Sequence, residues 1–270
     1  MTRIALGVEY DGSRYHGWQT QQKGISSVQL AVETALAQVA NHPVSVSCAG
    51  RTDAGVHATG QVIHFDTGAE RSERGWVFGA NTNLPADIAI RWARPVSDAF
   101  HARFGARARR YRYVIYNHPI RPGLYNRQLT WNYRPLDVAR MRAALPALLG
   151  THDFTSYRGI HCQAKSPVKT LHHLALYQQG PLLVLEAEAN AFLMHMVRNI
   201  VGVLMAIGTG KAEPEWAGQV LAARDRRQGG VTAPPFGLYL VNVDYDSSFD
   251  LPSEQLGPQW LPHDLSAWSS

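Results

Sequence analysis

Cysteine is scarce in this chain: Cys48 and Cys162 are the only two among 270 residues. Two thiols without C-x-x-C spacing exclude a disulfide framework, argue against structural zinc and point to a reducing compartment. No apolar run reaches the roughly 18 residues of a membrane-spanning helix. The best stretch, Phe192–Ile207, is interrupted by His195, Arg198 and Asn199. The N-terminus, MTRIALGVEYDG, reaches Glu9 with neither an apolar h-region nor a small-residue cleavage site, so a cytoplasmic protein is expected. Acids are in the minority, 21 Asp and Glu against 26 Lys and Arg, a formal charge of +5. Residues 246–270 hold four acids and no Lys or Arg, so the body before them carries +9 once that −4 is set aside. A body this basic suits a polyanionic partner, although charge alone also fits an ordinary solvated surface.

At about 150 residues per domain, this length accommodates one large domain or two modest ones. Arg3–Tyr10 reads as a strand broken by Asp11-Gly12. A helix follows, with Ser26 and Gln29 at capping-box spacing and Val28, Val32, Leu36 and Val39 at helical intervals. Strands at Val44–Ala49 and Gln61–Thr67, a helix at Ser72–Asn81 and a strand at Ile88–Ala93 complete the order β, α, β, β, α, β. The order then restarts: a strand at Arg109–Asn117, a helix at Leu136–Leu149, strands at Val168–Tyr177 and Leu182–Ala189, and a helix at Phe192–Ile207. A short helix near Pro214–Ala223 and a strand at Gly237–Tyr245 follow. The expectation is an α+β protein of two split-βαβ halves, residues 1–104 and 105–245, with antiparallel sheets covered by helices. Residues 246–270, acidic and containing Pro and Ser, read as a poorly ordered tail.

Four segments invite chemistry. Gly50-Arg-Thr-Asp-Ala-Gly-Val-His-Ala58 joins two predicted strands, and its glycines allow tight turns and close approach of another molecule. Asp53 at its apex is either a turn-former or, with Arg51 keeping it ionised, a nucleophile or base. At about 100° per residue, Phe192, Met196, Ile200, Val203 and Ile207 form one stripe, and Arg198 falls on a second apolar face. An arginine so placed either snorkels or needs an anionic partner, Asp53 or a phosphate. Between His101 and Arg121, Arg103, Arg107, Arg109, Arg110, Arg112 and Arg121 interleave with Tyr111, Tyr113 and Tyr116, the combination of phosphate forks and stacking rings that suits RNA. The polar stretch containing His161, Cys162 and Lys165 lacks a second ligand cluster and reads as a basic RNA-contacting loop rather than a metal site.

Five segments in this order resemble the TruA family of tRNA pseudouridine synthases: Tyr10-Asp-Gly-Ser-Arg-Tyr-His-Gly-Trp-Gln19, the Gly-Arg-Thr-Asp-Ala-Gly-Val-His loop, Arg110-Tyr-Arg-Tyr113, Phe192 through Met196-Val-Arg-Asn-Ile-Val-Gly202, and Ala233-Pro-Pro-Phe-Gly-Leu-Tyr239. The resemblance extends to about Tyr245 and leaves the tail uncovered. It implies isomerisation of uridine to pseudouridine at positions 38, 39 and 40 of the tRNA anticodon stem-loop, by a homodimer without metal or organic cofactor. It also implies two ferredoxin-like halves with an active cleft between them. Carried over, Asp53 is the nucleophile, Arg51 helps flip the base, Tyr111 stacks on the uracil and Arg198 pairs with Asp53. Arg103, Arg107, Arg109, Arg110, His161 and Lys165 are the further expected RNA contacts.

The reaction itself demands little. The C1′–N1 bond breaks, the uracil turns and C5 joins C1′ without net redox change, so one carboxylate suffices. Asp53 attacking C1′ or C6, or removing the C2′ proton, are all consistent with the sequence. A non-catalytic RNA-binding module and an Asp-dependent hydrolase are the competing classes; the second requires a carboxylate cluster for Mg²⁺, and no acidic cluster accompanies Asp53.

Overall fold

The computed structural model describes residues 1–21 and 24–268. The chain forms two compact units, one of Met1–Arg107 with Tyr239–His263 and one of Ala108–Leu238 with Asp264–Ser270. Each is a mostly antiparallel open sheet flanked by a few helices.

In the first unit the order is β1 (Thr2–Tyr10), α1 (Val28–Ala40), β2 (Ser47–Cys48), β3 (His57–Thr67), α2 (Glu73–Asn83) and β4 (Ile88–Val96). β1 lies between β4 and β3, antiparallel to both, and β2 pairs briefly with β3. Alternating side chains such as Leu6, Ile63 and Phe65 are buried, as are Leu36 of α1 and Trp76 of α2. The cap of α1 is Ser27, whose Oγ accepts the Leu30 N–H at 3.3 Å, not Ser26 with Gln29. The Gln29 side chain instead accepts the Thr20 N–H and donates to Glu33. Of the expected strand at 44–49 only Ser47–Cys48 pairs, whereas β3 starts at His57, four residues earlier than expected.

The second unit contains β5 (Ala108–Asn117), β6 (Thr130–Asn132), α3 (Val138–Ala144), β7 (Gly150–Asp153), β8 (Val168–Gln179), β9 (Leu182–Ala189), α4 (Met196–Gly208) and α5 (Trp216–Ala223). Its strands run in the order β5-β9-β8-β7, all antiparallel, with β6 parallel to β5. The expected helix 136–149 is cut short. Asp137 caps α3, and Pro146, with no N–H to donate, accompanies a 3-10 turn at Leu145–Leu148. α4 begins at Met196 rather than Phe192, because His195 adopts a left-handed conformation (φ 62°) that cannot extend a helix backwards. Phe192 therefore lies off the helix stripe.

The last strand, β10 (Leu238–Asp244), pairs in parallel with β3 of the first unit, Tyr239 opposite His57 and Leu240 opposite Ala58. Within the segment read as a poorly ordered tail, Leu261, Leu265 and Trp268 are buried, and Gln259 donates to Glu9 at 2.9 Å. Apolar residues spaced along an otherwise polar segment anchor it, a signal that its acid, Pro and Ser content obscured. Residues 269 and 270 of that segment lie outside the described residues.

Candidate active site

The loop from Gly50 to Val56 connects β2 to β3 and is held by the segment that follows β1. The Trp18 N–H donates to the Thr52 carbonyl at 3.0 Å, and the Gly55 N–H donates to Tyr15 at 3.3 Å. Tyr10 and Thr52 share a hydroxyl hydrogen bond of 2.8 Å, and the buried Gln61 amide grips Gly50 by both its carbonyl and its N–H, at 2.6 and 3.3 Å. Two glycines make this contact possible. A Cβ on Gly12 would stand 1.9 Å from the Val56 carbonyl oxygen, and one on Gly17 would stand 2.6 Å from that of Thr52. The spacing of the Tyr10–Gln19 motif is thus the spacing of a clamp. Asp53 sits half-buried at the apex of the clamped loop, Thr52 is buried and Arg51 is exposed.

Asp11 and His57 extend the clamp. Asp11 caps the 3-10 turn at Gly12–Arg14 through the Ser13 N–H, and His57 stacks on Tyr239 at 4.7 Å. Nδ1 of His57 lies 3.1 Å from both the Gly12 amide and Asp11 Oδ1. An unprotonated nitrogen accepts from the amide, and a protonated one donates to the carboxylate. Burial pushes the Asp11 carboxyl up, but the hydrogen bonds from His57 and Ser13 outweigh it and hold the group well below the usual carboxylate range. Asp11, Gln61 and His57 act here through contacts between distant segments, which the sequence pattern does not mark.

In the second unit, Tyr111 on β5 is 8% exposed and meets Phe192 edge to face, ring centroids 5.0 Å apart. Tyr113, on the same face of the strand, is fully buried and its hydroxyl donates to the Pro234 carbonyl at 2.7 Å. Burial raises its phenol well above the ordinary tyrosine value. Arg198 is half-buried near the start of α4. Its Nε donates to the Ala233 carbonyl at 2.8 Å, and the Ala233 N–H returns a bond of 3.1 Å to the Arg198 carbonyl.

The arginines of 103–121 divide by environment. Arg112 is buried and bonds Glu186 at 2.8 Å; Arg110 bonds Glu188 at 2.6 Å and approaches Glu186 at 3.4 Å. Both acids stand directly opposite these arginines on β9. Arg110, one of the expected RNA contacts, is engaged by two carboxylates of its own chain. Arg107 pairs with Asp246, and Arg109 donates to the Asn190 carbonyl at 3.0 Å. Arg103 and Arg121 are exposed, the former lying 5.5 Å from the Phe104 ring centre. His161 and Lys165 are exposed on a loop whose Gly159 N–H donates to Met194 just before α4, at 2.8 Å. Among the described residues no group of three His, Cys, Asp or Glu side chains is placed to hold a metal ion, and no helix is long and apolar enough to cross a membrane.

The family model described as tRNA pseudouridine synthase matches residues 7–105 and 144–246. The chain is 66% identical to tRNA pseudouridine synthase A of Alcanivorax borkumensis over 99% of this chain and all of that protein. It is 62% identical to tRNA pseudouridine synthase A of Pseudomonas aeruginosa, over 97% of this chain and 92% of that one. The corresponding protein of Coxiella burnetii is 58% identical over 97% of this chain and its own full length. With identity this high over nearly the whole of each sequence, the chain belongs to the tRNA pseudouridine synthase family, isomerases that convert uridine to pseudouridine in tRNA.

Proposed function

We propose that the uridines isomerised lie at positions 38, 39 and 40 of the tRNA anticodon stem-loop, and that Asp53 is the acting carboxylate. The observation that carries the assignment of Asp53 is the clamp on the Gly50–Val56 loop: Gly12, Gly17, Trp18 and Gln61 fix the backbone on both sides of one half-buried aspartate. A preorganised carboxylate is what a reaction with one nucleophile or base and no redox step requires. Attack on C1′ or C6, or removal of the C2′ proton, all start from this placement. In each case C1′–N1 is cleaved and C1′–C5 is made, while the proton on C5 is lost and N1 gains one.

A stacked uridine must leave the helix before its sugar is reachable, at a cost of about a few kcal/mol. Exposed Arg51 beside Asp53 is assigned to hold the flipped nucleotide, Tyr111 to stack on its base and Arg198 to pair with the Asp53 carboxylate during reaction. Exposed Arg103, His161 and Lys165 supply phosphate contacts, joined by Arg107 and Arg109. The order β1-α1-β2-β3-α2-β4, with β1 between β4 and β3, supports a ferredoxin-like reading of the first half, and β5-α3-β8-β9-α4 supports the same for the second. The acting form is assigned as a cytoplasmic homodimer.

The test uses tRNA transcribed in vitro, incubated with the wild-type protein or Asp53→Asn and mapped by carbodiimide-blocked primer extension. Wild-type protein is expected to produce stops that report pseudouridine at 38, 39 or 40. Asp53→Asn is expected to bind tRNA and produce none, because affinity resides in the basic surface. Asp53→Asn turnover within about tenfold of wild type in tritium release from 5-³H-uridine tRNA would remove Asp53 from the chemistry.

A further inference from the structure

Arg198 does not hold its pose alone. The Ala233 carbonyl that accepts from its Nε belongs to a loop pinned to α4 through polar groups one residue away, Asn199 on the helix and Thr232 on the loop. Asn199 is 2% exposed; its Nδ2 donates to the Tyr157 carbonyl at 2.8 Å. Its Oδ1 accepts from the Thr232 hydroxyl at 2.6 Å and from Arg226 Nη2 at 3.0 Å. That same Arg226 nitrogen also reaches the Gly230 carbonyl at 2.9 Å and Thr232 Oγ1 at 3.0 Å.

The turn carrying Arg226 is itself fixed. Asp225 caps it, and the Asp225 N–H donates to Ser156 Oγ at 2.8 Å. The loop also packs directly on the helix, since a Cβ on Gly202 of α4 would fall 1.8 Å from the Val231 carbonyl oxygen. An arginine whose Nε is bonded to a fixed carbonyl has the plane of its guanidinium set, and a shift of the carbonyl turns that plane.

We infer that Arg226, through Asn199 and Thr232, is a positioning residue for the reaction: it fixes the Ala233 carbonyl and thereby aims Arg198. The inference rests on the reading of Arg198 as the cation that serves Asp53. Neither Arg226 nor Thr232 is assigned a contact with the tRNA. Their removal lowers turnover rather than affinity, and only while Arg198 is present to be aimed.

A double-mutant cycle tests this with the full chain and tRNA transcribed in vitro, reading kcat, KM, tRNA Kd and thermal midpoint. Arg226→Gln is expected to lower kcat by more than about tenfold while tRNA Kd stays within about threefold. Arg198→Met should lower kcat as well, and Arg198→Met with Arg226→Gln should be no worse than Arg198→Met alone. If Arg226→Gln fails to fold, the same cycle is run with Thr232→Val, and Thr232→Ser should recover most of what Thr232→Val loses. A double variant whose loss is the product of the single losses, or a single variant with kcat within about threefold of wild type, overturns the positioning role. Arg198→Met with wild-type kcat overturns the underlying reading of Arg198 instead, so the two failures are told apart.

Discussion

Gly17 presses on Thr52: a Cβ added to Gly17 would stand 2.6 Å from the Thr52 carbonyl oxygen, and the residue has φ +92°. Gly17→Ala therefore meets both a clash and a strained backbone, and the clash displaces the residue next to Asp53. A stability loss of about 1–3 kcal/mol is expected, with turnover down by more than about tenfold. Gly24 has nearly the same φ, +93°, but none of the described residues lies within 4 Å of its Cβ, so Gly24→Ala bears the backbone strain without that clash and should keep its turnover. Urea midpoints with tritium release check both; equal turnover for the two variants would show that the clamp does not position the loop.

Arg112 and Glu186 form a buried ion pair of 2.8 Å, with side chains 1% and 7% exposed. Removing one member of such a pair strands the other charge. Arg112→Met is expected to destabilise the protein by about 3 kcal/mol, and the double change Arg112→Met with Glu186→Gln should recover part of that loss. Denaturant unfolding of the single and double variants decides it. No recovery would mean that Arg110, 3.4 Å from Glu186, already neutralises the acid left behind.

The two kinds of arginine make opposite predictions for RNA. Arg51 and Arg103 are exposed, so Arg51→Ala or Arg103→Ala should weaken tRNA binding and reduce the slope of log K against log salt by about 0.7–0.9 each. Arg110 is already neutralised by Glu186 and Glu188, so Arg110→Ala should leave that slope unchanged and lower stability instead. Filter binding over a salt series measures both. A slope reduced by Arg110→Ala would return that residue to the RNA surface.

His64 supplies a pH dependence. Burial, with the nearby charges of His101 and Arg3, pulls its imidazole down to about 4, and its Nδ1 accepts the Ala102 N–H at 3.1 Å. The unfolded chain, with an ordinary histidine value near 6.5, takes up this proton first. The contribution of His64 is therefore full above about pH 6.5 and is lost as pH falls toward 4. Urea midpoints of the wild type should fall across that window, and those of His64→Gln should fall less. Parallel curves would assign the acid sensitivity elsewhere.

The first unit's order was readable because its periods are clean: Val28, Val32 and Leu36 recur at helical spacing, and β3 alternates through Ile63 and Phe65. What escaped was set by single residues or by distance in the chain. Ser26 and Ser27 are equally good caps in isolation, and only the fold decides between them. His195 stops α4 by a left-handed conformation that its side chain does not announce. The parallel pairing of β10 with β3 joins residues far apart in sequence, and no local pattern encodes it. In the candidate site, glycine density flagged the Asp53 loop, but not that Gly12 and Gly17 lie against it. The two acids of Leu183-Val-Leu-Glu-Ala-Glu-Ala189 alternate with the same period as Arg110 and Arg112. Their register across the strands was the missing fact.

The parallel seat of β10 on β3 also sets the timing of the protein's own manufacture. His57 and Ala58 leave the ribosome before their partners Tyr239 and Leu240, which follow about 180 residues later. At about 5–20 residues per second that is a wait of roughly 10–40 s, during which the nascent β3 keeps an unpaired edge at the root of the Asp53 loop. The carboxylate assigned to the chemistry is thus made well before the sheet that supports it is complete.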